Sequence, residues 1–153
     1  MHSTRNLKHY MLPAVLAGTL AGIFLGLLLK AAEALTSLKV YTLLLNVDYI
    51  PVLNQLPLPE AAEFGLHLIV SVGLSLVLAY LLYIRPNPAS ARQRLGIYAL
   101  VNTVVGLLLY PTTALSDRTP ELFDVPAFLV WLLGHVLYGL LLGWLMEKLK
   151  PRA

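Results

Sequence analysis

The sequence predicts an all-α membrane protein, a bundle of four transmembrane helices in one domain covering residues 1–153, and three observations carry that prediction. Hydrophobic residues make up 58% of the chain and charged residues 12%, where a soluble domain carries about 25% charged residues. Mean hydropathy is +0.75. Four apolar stretches, residues 11–29, 64–84, 95–114 and 125–146, are long enough to cross about 30 Å of hydrocarbon. Each also carries a row of small or polar residues at four-residue spacing, which a helix gathers on one face. In lipid, helices pack on such rows.

Span one aligns Gly18, Gly22 and Gly26; the same step reaches Lys30, and Glu33 follows one turn on. The row is predicted to admit a neighbouring backbone at its glycines and to end in a Lys30–Glu33 ion pair. The uncharged run exceeds the apolar region of a usual signal peptide, with no small-residue cleavage site after it, so it is expected to remain as a first span. Residues 39–50, KVYTLLLNVDYI, are apolar but too short to cross. An interfacial helix or an extension of span one is expected there, ahead of a re-entrant loop, which would need burial in protein. Tyr41 and Tyr49 suit an interface, and Pro51, Pro57 and Pro59 break the chain into turns.

Pro59, Glu60 and Glu63 mark a helix start, with acids beside the positive end of the dipole. Span two then aligns His67, Ser71, Ser75 and Ala79, and Arg85 ends it. Span three aligns Tyr98, Asn102, Gly106 and Tyr110, with Pro111 interrupting it late. Thr119-Pro120-Glu121 reads as the cap of one short helical turn. Span four aligns Trp131, His135, Gly139 and Gly143.

Orientation follows from the basic residues. Arg5, Lys8, Arg85, Arg92, Arg94, Lys148, Lys150 and Arg152 lie on one side of a four-span arrangement, and only Lys30, Lys39 and Arg118 on the other. Among the acids only Glu147 joins the basic side. The bias of Lys and Arg toward the cytoplasm places the chain in a cytoplasmic (inner) membrane with both termini inside.

Several function classes are excluded. The chain has no cysteine, hence no disulfide, thiolate or cysteine-ligated metal chemistry. Its few basic residues sit at span ends, which is no nucleic-acid footprint. No nucleophile–base pair, G-x-S-x-G elbow or phosphate loop is readable, so neither an enzyme nor a cofactor is expected. His67 and His135, with Glu33 or Asp124, lack ligand spacing within one helix, so no metal is expected.

The candidate polar residues are Lys30, Glu33, His67, Asn102 and His135, and the candidate packing residues are Gly18, Gly22, Gly26, Gly106, Gly139 and Gly143. His135 lies ten residues into span four, about 15 Å deep at about 1.5 Å per residue, near the midplane. By depth it reaches Asn102 and Tyr98 on span three and Ser71 and Ser75 on span two. None is an acid, so a neutral imidazole is expected. Asn102 reads as an interhelical hydrogen-bonding residue. Tyr10, Trp131, Tyr138 and Trp144 read as interface anchors or packing residues.

Taken in order, these motifs resemble the YagU-like bacterial inner-membrane proteins. The likeness lies in the glycine-rich first span ending in Lys30 and Glu33, in HLIVS (residues 67–71), in Tyr110-Pro111 with Leu115, and in TPELFDVP leading to Gly134-His135. That family pattern has Lys and Glu four apart with a Pro-Pro-Arg after them; here they are three apart and the arginine motif is missing. The resemblance implies a small multi-span membrane protein without an assigned activity. The expectation is therefore a structural or interaction role, with the lipid bilayer and a homo-oligomer or another membrane protein as partners. The alternative is a proton or ion conduit, a transporter or a pH-responsive protein using Lys30, Glu33, His67 and His135. Where the polar rows point separates the two: a common interior favours the second, lipid-facing rows the first.

Overall fold

A computed structural model describes residues 8–84 and 89–149; Arg5, Arg85, Lys150 and Arg152 lie outside the described residues. The described residues form five α-helices: α1 (Lys8–Thr36), α2 (Val40–Leu45), α3 (Glu60–Tyr83), α4 (Ala91–Leu109) and α5 (Val125–Leu149). A 3-10 segment, Tyr110–Leu115, continues α4 past Pro111. Four of these elements are long and apolar enough to cross a bilayer. The chain is a multi-pass membrane protein built as an all-α bundle.

The four long helices stand in an arc. α1 packs against α3 on one side and α5 on the other, α5 packs against α4, and α3 and α4 make no extended contact. All three seams are antiparallel.

The first seam is a polar ladder. Ser75 Oγ donates to the Ala14 carbonyl at 2.8 Å and Ser71 Oγ to the Gly18 carbonyl at 2.7 Å. One turn further on, His67 Nε2–H donates to the Gly22 carbonyl at 3.1 Å. Two four-residue rows, read in opposite directions, thus meet rung by rung. A polar side chain inside a span must find a partner in protein, and here the neighbouring backbone supplies it. Gly18 permits the approach: a Cβ there would sit 2.9 Å from the Val72 Cα.

The α4–α5 seam uses the same device. A Cβ on Gly139 would lie 2.7 Å from the Tyr98 carbonyl oxygen, and one on Gly106 would lie 2.6 Å from His135 Cγ. Gly143 faces Leu95 and Tyr98. Arg94 and Glu147 close the end of this seam as an ion pair, with Arg94 Nη2 2.8 Å from Glu147 Oε2. Gly134, which stands outside the four-residue rows, faces Leu25 and Leu29 of α1.

Two loop expectations are corrected. Residues 39–50 are not an extension of α1 but carry a separate short helix, α2. Ser37, with φ 62° in the left-handed region, ends α1 as its N–H bonds the Glu33 carbonyl at 2.8 Å. The chain folds back, and α2 plugs the end of the arc with Val40, Leu43 and Leu45 buried. The open arc supplies the burial in protein that such a segment needs. Thr119, in turn, caps no helix: its Oγ1 bonds the Thr113 and Ser116 carbonyls instead.

Candidate binding site

Two adjacent spaces occupy the end of the bundle that carries α2. The upper one is a cleft of about 620 Å³ lined by Lys30, Glu33, Tyr41, Thr42, Leu45, Leu58, Glu60, Glu63 and Arg118. Lys30 and Glu33 both line it, but they do not pair with each other. Lys30 Nζ instead bonds Glu60 Oε1 at 2.5 Å, because its long stem reaches across the groove to the first turn of α3. Glu33 caps α2: it accepts from the Tyr41 and Thr42 backbone N–H groups at 2.7 and 2.9 Å and from the Thr42 hydroxyl at 2.8 Å. The first turn of a helix has N–H groups with no partner of their own, and they claim this carboxylate.

Glu63, 6% exposed, is held by both terminal nitrogens of Arg118 at 3.2 Å, and Asp48 stands 3.8 Å from the same guanidinium. That grip raises the Arg118 pKa above its ordinary value. Ser116 donates to Asp48 Oδ2 at 2.5 Å, tying the connection between α4 and α5 to the segment after α2. Tyr41 donates to Glu60 at 2.8 Å. Its hydroxyl is pushed up to about 12, first by burial, then by the bond to Glu60 and by the charges of Glu60, Glu33 and Glu63.

Below the cleft lies a chamber of about 190 Å³. Its walls come from Leu25 of α1, residues from Glu63 to Leu74 of α3, Asn102, Val105 and Leu109 of α4, and Trp131, His135 and Tyr138 of α5; α2 and the chain after it form the roof. Leu45 and Glu63 line both spaces. The chamber lies where α3 and α4 fail to meet, beside Ile69 and Val70, which are 69% and 63% exposed on the bundle surface. Toward the other end the lining stops at Leu74, Asn102 and Tyr138.

Most polar groups in the wall are occupied. Trp131 Nε1 donates to the Gly106 carbonyl at 2.8 Å. Ser71 gives its hydrogen to Gly18, so the 2.8 Å contact with Tyr138 is a Tyr138 hydroxyl donating to Ser71 Oγ. His135 Nδ1 lies 3.0 Å from the Trp131 carbonyl; a carbonyl only accepts, so Nδ1 carries the hydrogen and Nε2 keeps its lone pair. The expected reach of His135 toward Asn102, Tyr98, Ser71 and Ser75 produces no hydrogen bond to any of them. Asn102 donates to the Tyr98 carbonyl of its own helix at 2.7 Å, and its Oδ1 is buried without a partner. Asn46 Nδ2, in the roof, is likewise unpartnered.

The structure thus puts Lys30 and Glu33 in the cleft and His67, Asn102 and His135 around the chamber. Tyr41, Thr42, Glu60, Glu63 and Arg118 were not singled out as site residues from the sequence. Glu60 and Glu63 do open α3, yet each also has a cation partner, and only the excess of acids near that end hinted at it. Trp131 and Tyr138, read as anchors or packing residues, are chamber wall. Among the described residues no three of His, Asp and Glu gather as a metal would require. No family model, curated protein or solved structure matches the chain, so the geometry alone carries the functional argument.

Proposed function

We propose that the protein is a membrane-embedded, non-catalytic binding protein or carrier for an amphipathic molecule, whose polar end sits in the cleft and whose apolar chain enters the chamber. One observation carries this reading: a charged cleft and a largely apolar chamber share Leu45 and Glu63, and the chamber lies beside the unpacked flank between α3 and α4. Ligand sites are mostly apolar concavities with a few polar groups that fix orientation. The polar rows turn inward, which favours the transporter-like alternative, with Lys30 and Glu33 at the mouth and His67 and His135 in the wall. The glycine rows face neighbouring helices of the same bundle, so they offer no surface for self-association. A simple conduit is less well supported, because the chamber lining ends halfway, above the buried Ala14, Ala17, Ala79, Tyr98 and Leu142. On the same reading the chain belongs in a bacterial cytoplasmic membrane with both termini inside, the cleft faces outward, and the YagU-like motifs mark its kinship.

The two tryptophans provide the test. Trp131 is 2% exposed and lines the chamber, while Trp144 is 51% exposed on the bundle surface. Trp144→Phe therefore leaves a reporter in the chamber alone. Dodecanol brominated at the end of its chain should quench Trp131 saturably in neutral-detergent micelles. Val105→Phe, which fills the chamber, should remove the saturable part. Quenching that only rises in proportion to probe, as partition into the micelle gives, overturns the reading.

A further inference from the structure

The cleft has an electrostatic preference that its lining alone does not announce. At the end carrying α2, three cations, Lys30, Lys39 and Arg118, stand among seven carboxylates: Glu33, Asp48, Glu60, Glu63, Asp117, Glu121 and Asp124. The two cations of the cleft are already matched, Lys30 by Glu60 and Arg118 by Glu63 and Asp48. Glu33 is the exception. Among the described residues it forms no ion pair, and its three partners are neutral donors. They orient the carboxylate without cancelling its charge. The Tyr41 hydroxyl feels the result, since Glu60, Glu33 and Glu63 all act to keep it protonated.

The chamber beneath holds no cationic side chain. Asn102 is 1% exposed and its Oδ1 has no partner, and the His135 Nε2 lone pair is free of protein partners among the described residues. With no Lys or Arg in the lining, the unpartnered polar atoms there, these two acceptors and the Asn46 Nδ2 donor in the roof, offer no counter-charge to an anionic end, and the apolar remainder of the wall takes an alkyl chain. A volume of about 190 Å³ equals the liquid share of about six waters. That is room for a stretch of chain, with the remainder lying along the open flank between α3 and α4.

We infer that the ligand is a lipophilic cation: a single positive head, ammonium or a close relative, beside Glu33 in the cleft, on an alkyl tail that runs into the chamber. This rests on the binding reading above and adds the sign of the charge to it. A half-buried carboxylate at the wall of a cleft attracts a positive head more strongly than the same group in bulk water. A zwitterion or an anion meets an uncompensated negative charge.

The test compares three probes of equal chain length, each brominated at the tail: dodecyltrimethylammonium, dodecanol and dodecanoate. Each is titrated against Trp131 fluorescence in the Trp144→Phe protein in neutral-detergent micelles. The ammonium should bind at least about fivefold tighter than the alcohol and the carboxylate weakest, the scale of one charge contact at about 4 Å in a water-like dielectric of about 80. Raising salt from about 0.1 M to about 1 M, which shortens the screening length from about 10 to about 3 Å, should narrow the gap. Glu33→Gln keeps an oxygen for the α2 N–H groups and removes the charge, so it should bring the ammonium affinity down to that of dodecanol measured in the same variant. Equal saturable binding of all three probes, or tightest binding of dodecanoate, overturns the cation inference and leaves the chamber reading standing. An ammonium preference that survives both high salt and Glu33→Gln also overturns it. Saturation by none of the three overturns the binding reading itself.

Discussion

Glu33 binds three donors, and none of them lies on its own helix. Removing the side chain therefore acts on α2 rather than on α1. In Glu33→Ala the Tyr41 and Thr42 N–H groups lose their acceptor, at a cost of about 1–3 kcal/mol for each donor left unsatisfied away from water. The expected outcome is a lower unfolding temperature in detergent together with fast hydrogen exchange over residues 40–45, and Glu33→Gln should restore most of both. Unchanged exchange in Glu33→Ala means that apolar burial alone holds α2. Tyr41 gives the pH counterpart. Its folded-state pKa is raised from 10.0 to about 12, so the neutral phenol is the form the fold favours. That contribution is complete below pH 10.0 and disappears as pH rises through about 12. Tyr41→Phe should unfold with less alkaline sensitivity than the parent across that window, and identical profiles would remove Tyr41 from the account. Spacing alone suggested a different partner for Glu33, namely Lys30. Helical proximity was legible; the competing claim of α2's unpartnered N–H groups was not, because it depends on a chain reversal at Ser37 that no residue pattern announces.

At the scale of helices, the glycines divide into those that meet a neighbour and those that do not. Gly18 and Gly139 face backbone atoms of the next helix, at 2.9 and 2.7 Å from an added Cβ, whereas Gly73 faces open space. Backbone cannot swing aside as a side-chain tip can. Gly18→Ala or Gly139→Ala must therefore part the helices and lengthen the hydrogen bonds beside them, at about 1–3 kcal/mol as overpacking costs elsewhere. Gly73→Ala should stabilise by up to about 1 kcal/mol through helix propensity. Thermal unfolding in one detergent ranks the three variants, and equal loss at Gly73 and Gly18 would sink the close-approach argument. Four-residue spacing made Gly18, Gly22, Gly26, Gly106, Gly139 and Gly143 stand out in the sequence, because one row on a helix is one line of contact. Gly134 lay outside any such row and was missed, although Leu25 and Leu29 press on it. The place of α2 was equally out of reach. Its Val40, Leu43 and Leu45 are buried because α3 and α4 leave the arc open, and that gap belongs to the assembled bundle rather than to any segment.

For the molecule as a whole, direction in the membrane decides which solution the cleft samples. At one end of the bundle the described residues carry Lys8, Arg92, Arg94 and Lys148 against the single acid Glu147, and Arg94 and Glu147 are bonded to each other. At the other end lie Lys30, Lys39 and Arg118, with an excess of carboxylates and the cleft between them. Basic residues flanking short loops are retained on the cytoplasmic side while acids contribute little, so the end with α2 is predicted to face outward. Reporter fusions should show Gln93 in the cytoplasm and Asn54 and Asp117 outside. The same prediction can be read without fusions, since the chain has no cysteine. A single Asn54→Cys, exposed in the loop after α2, should react with a membrane-impermeant maleimide in intact cells, while Gln93→Cys, exposed in the first turn of α4, should react only after permeabilisation. If the two exchange behaviours, the bundle is inverted and the cleft draws its ligand from the cytoplasm. If both react in intact cells at the same rate, the population is of mixed orientation, and the asymmetry of basic residues does not set the direction of this chain.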